Sequence, residues 1–171
     1  LAESYMESGQ RRQAVAVLER CWKLAPHPDI AVLWGQLAPK GTAGSPPKMI
    51  AWVQRLIKPN PAHPESLLLL ARTAGQCGLW GEAREDLRKI EASGEADRRV
   101  YELWARLEGL SEDERAELAV KASDALLPRS WICSKTGALY GRWEPIAEPH
   151  GAFASMVWER PGTALLVGAD E

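Results

Sequence analysis

Phenylalanine is nearly missing from this 171-residue chain, with one Phe against eight Trp, and cysteine is scarce, with Cys21, Cys77 and Cys133 set far apart. Three widely spaced thiols exclude a disulfide framework and suit a reducing compartment. A basic excess is also lacking. The formal net charge of −2 argues against non-specific binding to nucleic acid or to an anionic membrane surface. No apolar run reaches the roughly 18 residues of a membrane span, and no leader pattern is visible at Leu1. The glycine-rich phosphate loop, the H-E-x-x-H pair and the nucleophile elbow are all wanting, so no motif carries enzyme chemistry and a non-enzyme is predicted. The acidic run from Ser111 to Glu114 reads as the start of a helix, where carboxylates complement the dipole. The chain begins without Met and in mid-pattern, and is expected to be part of a longer protein.

What is present is helix-period patterning. Over residues 1–127 apolar residues recur at three- and four-residue spacing, with Pro or Gly at the breaks. The pattern repeats: Leu67, Leu70 and Ala71 return 34 positions later as Tyr101, Trp104 and Ala105. Ala2, Tyr5, Ala14, Leu18 and Cys21 return 69 positions later as Ala71, Ala74, Ala83, Leu87 and Ile90. That period predicts a mainly α fold, a tetratricopeptide-type solenoid of about four helical hairpins. The pairs are placed at 1–8 with 11–25, 28–38 with 46–58, 65–77 with 80–92, and 96–109 with 112–126. Small residues on the first helix of each pair (Ala2, Gly35, Ala71, Ala105) are expected to admit the second. The linker 39–47, rich in Pro and Gly, is expected to protrude. Ser111 and Glu114 form a capping box for the last helix.

From Pro128 the period changes to short apolar and aromatic stretches broken by Gly and Pro, which predicts short strands and two tight turns over 128–160. Residues 161–171 are expected to be poorly ordered. Two copies of a small pattern stand out, Cys133-x-x-Thr136-Gly137 and Ala147-x-x-His150-Gly151. Twin C-x-x-C-G knuckles would make a zinc ribbon, but three of the four ligand positions hold Thr136, Ala147 and His150. Two ligands, Cys133 and His150, are too few for a structural zinc. The tail is therefore expected to be a metal-free relic in which Trp131, Trp143, Phe153 and Trp158 form an aromatic cluster docked on the last helices, covering the end of the array.

The frame Trp131, Cys133, Gly137, Trp143, Pro145, Gly151, Phe153, Ser155 and Trp158 resembles the C-terminus of the HemY-like family of bacterial tetratricopeptide proteins. The resemblance implies an inner-membrane parent anchored by an N-terminal segment, a soluble part facing the cytoplasm, and association with a late step of haem biosynthesis, with haem-pathway enzymes among its partners. The tail also looks like the ribbon of lipopolysaccharide-assembly tetratricopeptide proteins.

Helix positions next to the packing residues should line a concave groove, which places Glu3, Asp29, Gln36, Arg72, Gln76, Arg99, Glu102 and Arg106 there. Arg72, Arg99 and Arg106 would favour a carboxylate or an acidic peptide segment as partner. A haem or porphyrin carrier is the competing reading, with His27, His63, His150 or a cysteine as ligand. His27 and His63 sit in proline-flanked turns where a polar residue is expected anyway, and no C-x-x-C-H is present.

Overall fold

The computed structural model describes residues 1–148 and 151–162. The described residues form eight helices followed by a small antiparallel sheet region. The helices are α1 (Ala2–Glu7), α2 (Arg11–Leu24), α3 (Pro28–Gln36), α4 (Pro46–Ile57), α5 (Pro64–Gln76), α6 (Trp80–Ala92), α7 (Arg98–Ala105) and α8 (Glu112–Asp124). Each falls within about two residues of the range read from periodicity, except that α7 ends earlier, at Ala105. The capping box forms as expected: the Ser111 hydroxyl accepts from Glu114 N–H, and the Glu114 carboxylate accepts from Ser111 N–H.

Two cores hold the helical part together. Ala14, Leu18, Trp22, Trp34, Trp52 and Leu56 fill the first, among α1 to α4, and Ala71, Ala83, Leu87, Ile90 and Val100 the second, among α5 to α7. Two of the five pairs related by the 69-position offset are buried alike, Ala14 with Ala83 and Leu18 with Leu87, whereas Ala2, Tyr5 and Cys21 are only partly buried where Ala71, Ala74 and Ile90 lie in the core. Trp22 is wholly buried and its Nε1–H donates to the Ser66 hydroxyl, which ties α2 to α5.

The α3–α4 pair departs from the expected close packing. Their backbones scarcely approach one another. They are joined instead by the stacked rings of Trp34 and Trp52, 4.2 Å apart at 12°. Each indole N–H donates to the other tryptophan's main-chain carbonyl, at 2.9 and 3.1 Å. Gly35 therefore admits no partner helix, and a Cβ there would meet nothing within 4 Å. The glycine that does permit close approach is Gly75, where a Cβ would lie 3.1 Å from Leu107. Most of the linker is exposed, but Thr42 folds back and is only 5% exposed, its N–H donating to the Pro39 carbonyl.

The tail contains β1 (Ser130–Cys133), β2 (Leu139–Tyr140), β3 (Ile146–Ala147), β4 (Ala152–Phe153) and β5 (Met156–Glu159). β1 is the centre of an antiparallel β2-β1-β5 sheet, and β3 pairs with β4. Gly137 and Gly151 have φ of +75° and +64°, the left-handed turn conformation that glycine adopts without a Cβ clash. The expected four-membered aromatic cluster does not form. Trp131 and Trp158 meet at 5.1 Å, but Trp143 is 53% and Phe153 71% exposed. Nor does the tail dock chiefly on the last helices. Its two half-buried tryptophans, Trp131 and Trp158, close on His27, at the start of α3, with ring centroids 5.4 and 4.1 Å away. Val120 on α8 stays exposed, so the tail leaves part of the last helix uncovered. Of the segment 161–171, only Pro161 and Gly162 are described, and the expectation of disorder for the remainder lies outside the described residues.

Candidate functional site

Two concave regions flank the helical part. The first lies where α3, α5 and α7 begin. Their N-caps are His27, His63 and Asp97, each accepting a backbone N–H two residues on, from Asp29, Glu65 and Arg99. Proline follows each histidine, at the first helical position where a missing N–H costs nothing. The tail lies over these three helix starts and encloses a cavity of ≈ 670 Å³, walled by both histidines, Trp131, Trp158, Arg129 and the acids Glu65, Glu95 and Asp97. Charge inside it is matched. Arg99 bridges Glu65 at 2.5 Å and Asp97 at 2.7 Å, and Arg160 reaches Glu95 at 3.2 Å. Burial opposes the charge on Arg99, but hydrogen bonds to Asp97 and Glu65 outweigh it and raise its pKa.

As a haem pocket this cavity fits poorly. Both histidines use Nδ1 as a cap acceptor, so the proton of the neutral ring sits on Nε2. His27 Nε2 is sealed from solvent without a hydrogen-bond partner, which leaves His63 as the one histidine among the described residues to face a ligand. Burial lowers the pKa of both rings.

The tail's own core is Cys133, Ala147, Ala152 and Met156. Ala147, at one expected ligand position, fills space beside Cys133 with a methyl group. Cys133 is wholly buried. Its pKa is lowered to about 7 by the Ser155 hydroxyl and then by Thr136, which outweigh desolvation. Among the described residues no group of three or more His, Cys, Asp or Glu is placed to hold a metal ion. His150 lies outside the described residues.

The second concave region is a groove of ≈ 360 Å³ between α3, α4 and α5. Small residues open it: Ala31, Gly35, Ala38 and Ala43. Val32, Met49, Val53 and Leu69 give it an apolar lining, and Val32 is 58% exposed. The folded-back Thr42 completes the wall. The groove exists because the tryptophan stack, rather than direct helix contact, joins α3 to α4.

The predicted groove residues divide between these places. Arg72 and Gln76 line the α3–α5 groove and are exposed. Asp29 and Gln36 are exposed on α3 but outside it, and Glu3 is exposed on α1. Arg99 is drawn into the ion-pair cluster, Glu102 borders a small hollow against Leu127 and Leu139, and Arg106 is exposed at the end of α7. Periodicity thus found two of the groove's residues. It missed Val32, Thr42 and Met49, because the groove follows from a hairpin that does not close. No protein-family model, curated protein or solved structure matches the chain.

Proposed function

We propose that the chain is a tetratricopeptide-type stack of helical hairpins that works as a protein–protein interaction scaffold and not as an enzyme, receiving a partner segment in the groove between α3, α4 and α5. The groove carries this reading: an open, mostly apolar concavity built on rigid helices, with Arg72 and Gln76 on one wall. The repeat reading is supported by like helix starts at His27, His63 and Asp97, and by the matched burial of Ala14 with Ala83 and Leu18 with Leu87. Within it the tail is a degenerate ribbon whose metal has been replaced by a small apolar core. The sequence frame from Trp131 to Trp158 supports a HemY-like parent at the bacterial inner membrane, associated with haem biosynthesis; a lipopolysaccharide-assembly scaffold shares that layout. A haem or porphyrin carrier is the lesser reading and would rest on His63. It requires a Soret band on titration that His63→Ala abolishes.

The scaffold reading is tested by photo-crosslinking in the source organism from Val32 and Gln76, with Glu117 on α8 as control. Discrete adducts are expected from the groove positions, and they should vanish when Gly35→Phe fills the groove. Adducts that survive the filling, or that form equally from Glu117, overturn it.

A further inference from the structure

The groove region carries cations without facing acids. It adjoins a second hollow, of ≈ 380 Å³, with Thr42 and Trp52 common to both walls. Together the two linings contain three cations, Arg72 on α5, Lys48 at the start of α4 and Lys40 in the loop, and no carboxylate. All three are exposed, and none forms an ion pair among the described residues. By contrast, the larger cavity under the tail sets Glu65, Glu95 and Asp97 against Arg99, Arg129 and Arg160. An uncompensated positive rim on a chain of net charge −2 selects for a partner that brings negative charge. The apolar lining selects for a bulky apolar side chain in the middle. Nucleic acid is a poorer fit, because the Trp34 and Trp52 rings face one another and Arg55 covers both at 5.8 and 5.5 Å, leaving little open face for a base.

Resting on the groove as the docking site, we infer that its occupant is a short acidic protein segment with a large apolar residue at its centre, its carboxylates reaching Arg72 on one wall and Lys40 and Lys48 on the other. Exposed charges contribute modestly one by one, so specificity comes from the combination of apolar anchor and flanking acid.

The test is fluorescence anisotropy on the 171-residue chain. One labelled peptide has a Leu-Phe centre flanked by glutamates, a second has lysine flanks, and a third is acidic with a Ser-Gly centre. Only the first is expected to bind, with affinity falling as salt rises. About a tenfold loss or more is expected for Arg72→Glu and for the Lys40→Glu/Lys48→Glu double variant. Lys40 and Lys48 are exposed, so the double variant decides the matter even if Arg72→Glu fails to fold. Equal binding of either control peptide, unchanged affinity in the double variant, or equal competition by single-stranded oligothymidylate overturns the inference. Groove crosslinks from Val32 that persist while the acidic peptide fails to bind reject this occupant and leave the scaffold reading; loss of both rejects both.

Discussion

Arg99 illustrates how a residue's role depends on what its neighbours leave free. Sequence spacing places it beside Arg72 as a groove cation, yet its guanidinium forks between Glu65 on α5 and Asp97 at the α7 cap. Its task is to join the starts of two successive hairpins. Removing it would leave two largely buried carboxylates facing each other, and Arg99→Ala is expected to cost ~2–4 kcal/mol in urea unfolding. Arg72→Ala, on an exposed side chain without an ion-pair partner among the described residues, should stay within ~0.5 kcal/mol of the parent. Equal losses for the two variants would show that the Arg99 network does not hold the hairpins. The same pair explains what periodicity misses: it locates a face of a helix, but whether a charge there is free depends on an acid many residues away.

At the scale of elements, α3 and α4 are joined by two side chains rather than by a packed helix interface. Trp34 is wholly buried, so Trp34→Ala should cost ~3–5 kcal/mol, while Trp34→Phe retains most of the ring and loses the indole hydrogen bond, for ~1–2 kcal/mol. Thermal melts would read both, and a Phe variant as damaging as Ala would refute the assigned share of the stack. The helices themselves were legible because their caps, prolines and apolar spacing are local signals. The α3–α4 opening was not, since two tryptophans 18 positions apart read equally well as ordinary core residues. The tail was legible in part. Its turns follow from Gly137 and Gly151, but which of four aromatic residues turns inward depends on strand register. β1–β5 pairing sets Trp131 opposite Trp158, while β3–β4 pairing sets Ile146 opposite Phe153 on a face left in solvent.

For the molecule as a whole, the helix starts under the tail carry a pH dependence. Burial is the main cause of the lowered pKa at His27, opposed by Asp29 and Glu65 and assisted by Arg99. At His63 burial again leads, with Glu65 and Glu95 opposing and Arg129 assisting. A folded pKa below the unfolded value near 6.5 means that stability is fully present above about pH 6.5 and is lost as pH falls through the folded pKa values. Protonation of Nδ1 also removes the acceptor for Asp29 or Glu65 N–H, which adds to the same direction. The urea midpoint is therefore expected to drop between pH 7.5 and 5. The drop should shrink in a His27→Asn/His63→Asn variant, because asparagine caps a helix without titrating. A midpoint that falls equally in both proteins would assign the dependence to carboxylates instead.

The seating of Trp158 on His27 has a consequence in time. Trp158 follows His27 by 131 positions (158 minus 27), so this contact closes a long loop between the start of α3 and β5. The helical hairpins consist of near-neighbour contacts that form quickly, whereas the closure waits until β5 has been synthesised. During synthesis the starts of α3, α5 and α7 stand open, and they are covered only once β5 has left the ribosome.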